Sequence, residues 1–495
     1  MTTISSLGRN APVPSVAATA APAARGAVAH AAVPQPSTRV ALGRAENGVS
    51  VYTEDGKLAA PPAIWSRSAN DPVTAVMGSN FDMLGTAGRF SGLGAALLER
   101  AATATGDFSQ SVHRAGSQGI SLAGVDADNL PQYGSYISLD IKTAGGATVQ
   151  VVMGSNEDGM AVQTQVTGGT LDADEEAALA GLTKGFQAAI DGLTARSPKL
   201  DLTALTQYDS QEIASIDLRA SVKTASNQTQ TLEFHADGQT RAISANGPEG
   251  RVDVRVDMSK ASLLGSAAQQ QRALDGYLRQ IDDAGARGRG SSALVDMFKS
   301  AFASLHGDYG SAARQTGMVA RTGGLDDTSR GMLSGLADFE ASVSAIAQHT
   351  NALQPGETDA FAFQASQQTA TDGLTPRGTS IVQTQHAQLT ASYRLSLSSE
   401  QPLALTADPL GQNYSYHEIE DRSRSTTRLE FDDGRLVKAS LSQSVDLSER
   451  VRKYVRGQLV METTIPTRES YEWDLLSRLA DSAKRGNEPE PSSTV

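Results

Sequence analysis

"SYISLDIKTAGGATVQVVMGSNEDGMAVQTQVTGG", Ser135 to Gly169, holds three runs of alternating apolar and polar residues separated by Ala-Gly-Gly and Glu-Asp-Gly. A period of two marks strands with one buried face, and breaks this short and glycine-bearing are hairpin turns. Strands joined by hairpins pair antiparallel. The stretch is therefore an antiparallel meander, and it sets the fold class for the chain around it.

Asp172 follows at once and opens "DADEEAALAGLTKGFQAAIDGL", with acidic residues in the first turn where the helix dipole favours them. Leu179, Leu182, Phe186, Ile190 and Leu193 recur every three or four residues, so one apolar stripe lies across the meander. After Pro198 come "IASIDLRASVKT", "QTQTLEFHAD" and "RAISANGPEGRVDVRVDMS", three more β-type runs. Upstream, "GLGAALLERAATA" from Gly92 has helical spacing. Residues 76–260 thus read as one α+β body.

Residues 261–355 read as helical, through "SAAQQQRALDGYLRQIDDAG", "SALVDMFKSAFASLHG" and "LDDTSRGMLSGLADFEASVSAIAQHTN". Strands resume in 356–482 and close with a helix, "ESYEWDLLSRLADSAK". The expected fold is α+β: two antiparallel meander sheets packed against helices and joined by a helical region. Residues 1–75, rich in Ala, Pro and Ser, and the tail 483–495 read as disordered, apart from a short hairpin over "NGVSVYTEDGKLA".

"TLEFHADGQTRAISA" (Thr231–Ala245) and "RLEFDDGRLVKASLS" (Arg428–Ser442) spell nearly the same hairpin. Leu232 and Phe234 alternate with polar neighbours as Leu429 and Phe431 do, and Gly238 and Gly434 are placed to supply a positive φ. Every shared residue has a structural task, so the repeat points to similarly built sheets and to no active site.

The 495 residues carry a formal charge of −13, which repels phosphate backbones at long range and argues against a nucleic-acid partner. The absence of cysteine removes thiol nucleophiles, thiolate metal ligands and disulfides. The opening residues lack the basic start and apolar stretch of a Sec signal peptide, and no apolar run of ~18 residues supplies a membrane-spanning helix. The chain is expected to be cytoplasmic or exported by a route that reads an unfolded N-terminus.

Local chemistry is sparse. No two of the seven histidines lie within five residues of one another, so no zinc or calcium motif is encoded and no metal is expected. "SGLGAALLERA" has no strand ahead of it and "GARGRGSS" lies between helices, so neither is a phosphate or dinucleotide loop, and no cofactor is implied. "GSQGISLAG" does not match a nucleophile elbow.

Two clusters stand out. In "YHEIED", strand alternation puts Tyr414, Tyr416, Glu418 and Glu420 on one face and His417, Ile419 and Asp421 on the other. A cleft of Tyr and Glu suits a sugar or polar peptide; the plainer alternative is a half-exposed strand with cross-strand pairs. In "ERVRKYVRG", alternation aligns Arg450, Arg452, Tyr454 and Arg456, a grip for a carboxylate or phosphate, or simply a charged edge.

"LDADEEAALAGLTKGFQAAIDGL", "PKLDLTALTQYDSQEIASIDL" and "TLEFHAD" resemble a family of uncharacterised bacterial proteins, some labelled lactate dehydrogenase, over about residues 130–470. The motifs are structural and transfer no functional residue. A nicotinamide dehydrogenase needs a glycine-rich turn in a parallel βαβ sheet, and hairpin-joined strands supply neither. The expectation is a non-enzymatic binding or interaction protein of a bacterium, exported or surface-associated, with a protein partner; the pattern carries no signal for oligomeric state. Two alternatives are a hydrolase of a polar polymer using the carboxylates near Tyr416, and binding of a lipid or other apolar ligand between the sheet and the Leu179–Leu193 helix.

Overall fold

Between Val256 and Phe339, the two halves of the chain meet edge to edge as cross-strand partners. The structure, a computed structural model, describes residues 61–478 except 69, 104–105, 118–121, 123–133, 225, 308, 310–324, 349–350, 376–377, 399–402, 404 and 406. The expected hairpin within 47–59 and the terminal segments 1–60 and 479–495 lie outside the described residues; the expected disordered segment 1–75 is corrected at its end, where Ala63–Trp65 is a strand and Pro72 opens a helix.

Fifteen strands form one sheet in the order β1-β2-β5-β4-β3-β6, then β7 to β15 in sequence. They are β1 (Ala63–Trp65), β2 (Phe108–Arg114), β3 (Ser135–Thr143), β4 (Thr148–Ser155) and β5 (Gly159–Thr167). There follow β6 (Ile213–Lys223), β7 (Thr229–Asp237), β8 (Thr240–Gly247), β9 (Gly250–Asp257) and β10 (Asp338–Ala345). The last five are β11 (Ala360–Thr375), β12 (Gly378–Ser396), β13 (Tyr414–Asp432), β14 (Arg435–Val455) and β15 (Gln458–Asp474). Every pairing among them is antiparallel. The expectation of two sheets is corrected to one, because β9 and β10 bridge them.

That correction rests on "DFEASVSA", which the sequence reading placed in a helix. Phe339, Ala341 and Val343 point into the core and Glu340, Ser342 and Ser344 away from it, a period of two that β9 and β11 satisfy on both edges. Context overrides the helix propensity of its alanines. Similarly, β15 runs to Asp474, where a helix from Glu469 was expected. The Asp474 carboxylate then accepts from the Leu476 and Ser477 amides, so the helical turn at 475–478 begins only there.

The helices lie on one face of the sheet. Helices α1 (Pro72–Asn80), α2 (Gly85–Phe90) and α3 (Leu93–Thr103) precede α4 (Ala173–Thr194), whose capping box joins Asp172 to Glu175 as the acidic start suggests. Glu175 also accepts from the Gly145 amide, tying α4 to the β3–β4 turn. The stripe Leu179, Leu182, Phe186, Ile190 and Leu193 is buried in the main core. A short α5 (Thr203–Thr206) leads to β6.

Helices α6 (Ala267–Gly288) and α7 (Ser292–His306) cover the middle of the sheet, and a short α8 (Asp327–Gly331) precedes β10. Phe298 and Phe302 of α7 are fully buried, Phe302 meeting Phe339 edge to face at 5.0 Å. Burying each such ring is worth roughly 1.5–3 kcal/mol, which holds α7 on β9 and β10. Gly288 lets α6 approach β11 and β12: a Cβ there would stand 2.8 Å from Phe361 Cδ2.

The repeated hairpins are β7–β8 and β13–β14. Gly434 has φ 73° and Asp433 φ 45°, the pair a two-residue turn demands. Gly238 does not take a positive φ; its turn is set instead by the Asp237 carboxylate, which accepts from the Gln239 and Thr240 amides.

Candidate functional site

One face of the sheet carries the helices, and the other carries the polar halves of the alternating strands. Across β6 to β15 the register aligns these polar side chains into two rows, the second interrupted by Ala242 on β8. One begins Arg219, Glu233, Ser244, Asp253, Ser342 and continues through Gln364, Gln388, Arg422 and Asp446 to Arg468. The neighbouring row includes Asp217, His235, Arg255, Glu340, Ser366, His386, Arg424, Ser444 and Ser470.

Laid flat, ten strands would span roughly 43 Å. Here residues from all ten border a single cavity of about 1290 Å³, so the sheet curls into a trough with these rows as its floor and walls. Arginines and carboxylates are interspersed along it with Ser and Gln, both signs at each end. Asp253 accepts from Ser244 at 2.7 Å and from Arg251, and Asp446 accepts from Arg468 at 3.1 Å. Neither Tyr nor Trp is among the lining residues.

His235 has a distinctive place there. Its Nδ1 lies 2.8 Å from Asp217 and its Nε2 3.2 Å from Asp237. A carboxylate can only accept, so both nitrogens donate and the ring is held as imidazolium. Partial burial works against that charge, but the two carboxylates outweigh it and raise the histidine pKa.

The two clusters singled out in the sequence come together at one end of the same face. Tyr414 faces Tyr454, Tyr416 faces Arg452, and Glu418 faces Arg450 across β13 and β14. The Tyr414 and Tyr454 rings stack at 4.9 Å, and Arg394 and Arg452 lie over the Tyr416 ring at 5.2 and 5.0 Å. Glu418 is held by Arg452 at 3.2 Å and Arg450 at 3.7 Å; Glu420, largely exposed, pairs with Arg422 at 3.6 Å. Arg456 does not share the face expected of it. It has φ 51° and forms the β14–β15 turn with Gly457 at φ 75°, because such a turn needs two left-handed residues.

Residues 351–359 lie against this end. Buried Glu357 accepts from the Tyr414 hydroxyl, Arg394 reaches both Glu357 and Asp359, and the Tyr416 hydroxyl donates to the Thr358 carbonyl at 2.8 Å. The tyrosines therefore lie beneath a loop, and the sequence reading missed Glu357 and Arg394, which hold it. A lone Glu in "PGETDAF" and a lone Arg in a strand carry no local signal.

On the helix-bearing face, the structure also brings together Ser415, His417 and Glu449. His417 Nε2 is 3.0 Å from Ser415 Oγ, and its Nδ1 is 2.8 Å from Glu449 Oε1. The alternation placed His417 on that face, but nothing in the spacing joined it to Glu449, 32 residues on. No protein-family model matches the chain, and no curated protein or solved structure does.

Proposed function

We propose that the protein binds an extended, mixed-charge polypeptide segment of a partner protein in the polar trough. One observation carries this reading: ten strands curl their aligned charged rows around a cavity of about 1290 Å³. The chemistry of the rows selects the ligand. A polyanion would meet Glu233, Asp253, Glu340 and Asp446 along the same path as the arginines. A neutral sugar would find no tyrosine or tryptophan face to stack on among the lining residues. A peptide of mixed charge can pair with both signs and with the Ser and Gln side chains between them.

A photo-crosslinking residue placed at Ser366 or Gln388 in the trough, and at Gln271 on the exposed side of α6 as control, tests the reading in the native cell. The trough positions should capture a discrete partner, and the Arg422→Glu/Arg424→Glu pair should reduce capture at least about tenfold, since two close charge pairs are reversed. Equal capture at Gln271, or no effect of the charge reversal, would remove the proposal.

A further inference from the structure

The trough leaves the opposite face of β13 and β14 unexplained, and that face has its own chemistry. Ser415 and His417 are two residues apart on β13, so their side chains stand side by side. Glu449 of β14 faces Ile419 and reaches back to the His417 ring. An ionised carboxylate only accepts, so His417 Nδ1 carries the proton toward Glu449 and the Nε2 lone pair accepts the Ser415 hydroxyl. Nucleophile, base and orienting carboxylate thus stand in the order that activates a serine, independent of fold or sequence order.

The relay is braced. Glu449 Oε2 meets Arg287 of α6 at 3.4 Å, and Arg287 is itself clamped by Asp421. The His417 ring stacks on Tyr393 at 5.0 Å with only 10° between the planes, which fixes its orientation. Ser415 and His417 are partly exposed, so a small molecule can reach the hydroxyl. Lys453 is the direct cross-strand partner of Ser415, which puts a cationic side chain on the same face beside it.

We propose that Ser415 is an acylatable nucleophile, with His417 as its base and Glu449 as the positioning residue, acting on small activated esters. Ser415 Oγ attacks the ester carbonyl carbon and its proton passes to His417 Nε2. The bond from carbon to the leaving oxygen then breaks as Nε2 returns that proton to the leaving alkoxide. Water repeats the sequence on the acyl-serine and releases a carboxylic acid. Serine and histidine are restored, and no oxidant or reductant takes part.

The substrate class follows from what surrounds the serine. β13 lies between β12 and β14, so its main-chain N–H groups are engaged in the ladder and offer no oxyanion hole. The Lys453 ammonium is the charge at hand for the developing oxyanion. A missing oxyanion-hole donor costs on the order of 10²–10³ in rate, so leaving groups better than an amine are required.

The test uses the full chain with a fluorophosphonate probe, and with p-nitrophenyl acetate as substrate. Intact mass should show one adduct, mapping to Ser415 and absent from Ser415→Ala. His417→Gln should slow labelling about 100-fold, the scale of a general base. Glu449→Gln should lower kcat at least about tenfold with KM little changed, and Glu449→Asp should restore part of it; a merely structural brace would not give that split. Thermal unfolding midpoints near wild type would show that each variant remains folded. No adduct on Ser415 of the folded protein, or hydrolysis by Ser415→Ala equal to wild type, overturns the proposal.

Discussion

The Tyr414 hydroxyl donates to Glu357 Oε2 at 2.9 Å in a site where Tyr414 is 0% and Glu357 2% exposed. Burial, and then the neighbouring carboxylate, hold the phenol above its usual range, so it remains a donor. Asn351 donates to the same hydroxyl, and Arg394 supplies the balancing charge. Tyr414→Phe should therefore destabilise the chain by about 1–3 kcal/mol, the cost of leaving a buried acceptor short of one donor. Glu357→Ala should cost more, about 3–5 kcal/mol, because it strips a carboxylate from a buried arginine. Urea unfolding midpoints check both, and a Glu357→Ala protein as stable as wild type would refute the lock.

One substitution should have opposite effects at two positions of one helix. A Cβ at Gly185 of α4 would stand 2.6 Å from Ala204 Cβ and 3.3 Å from the Ala204 carbonyl carbon, whereas at Gly181 nothing lies within 4 Å. Gly181→Ala should stabilise the protein by roughly 0.5–1 kcal/mol through helix propensity alone. At Gly185 the same gain is outweighed by overpacking of about 1–3 kcal/mol. Thermal melts of the two variants should shift in opposite directions.

The meander and its covering helix were legible because residues 135–194 satisfy period, turn chemistry and capping together. The single sheet was not, because its joint depends on Phe339 and Val256, which are distant in sequence and whose pairing no local pattern encodes. The site follows the same division. Alternation placed Tyr414, Tyr416 and Glu418 on one face, but their partners on β14 are chosen by register and those in residues 351–359 by tertiary packing. The trough was equally hidden, since each strand contributes only one to three polar residues and the cavity exists only once the sheet curls.

His306 should make the fold acid-sensitive. Its ring is fully buried, stacked on Phe302 at 4.2 Å and set edge-on to Phe339. Burial first, and Arg241 nearby second, push its pKa down to about 3. The unfolded chain takes up a proton near the ordinary value of about 6.5 while the folded one does not, so stability falls as pH drops from there toward about 3. His306→Phe removes that linkage. Between pH 7 and 5 the wild type should lose about 2 kcal/mol more than the variant in urea unfolding, and parallel losses would count against a buried neutral ring.

His235 should behave in the opposite sense. Desolvation lowers its pKa, but the hydrogen bonds and charges of Asp217 and Asp237 raise it further than burial depresses it. A folded-state value above the unfolded one means the pairing stabilises fully below about pH 6.5, and that stabilisation is lost as pH climbs through the raised value. The ring is about a third exposed, so solvent screening keeps the effect small. His235→Asn should narrow the stability difference between pH 6 and pH 8.5 relative to wild type, read as urea midpoints. Asp237 contributes at the other end: burial opposes ionisation, but the Gln239 and Thr240 amides and then His235 hold its carboxyl below the ordinary range. Its share is present above about pH 4 and is lost as pH falls through the lowered value, so Asp237→Ala should flatten the acid limb and, by removing one of the two carboxylates that raise the His235 pKa, also reduce the alkaline one. An acid limb unchanged by Asp237→Ala, or an alkaline limb unchanged by His235→Asn, would break the assignment of the limbs to this pair.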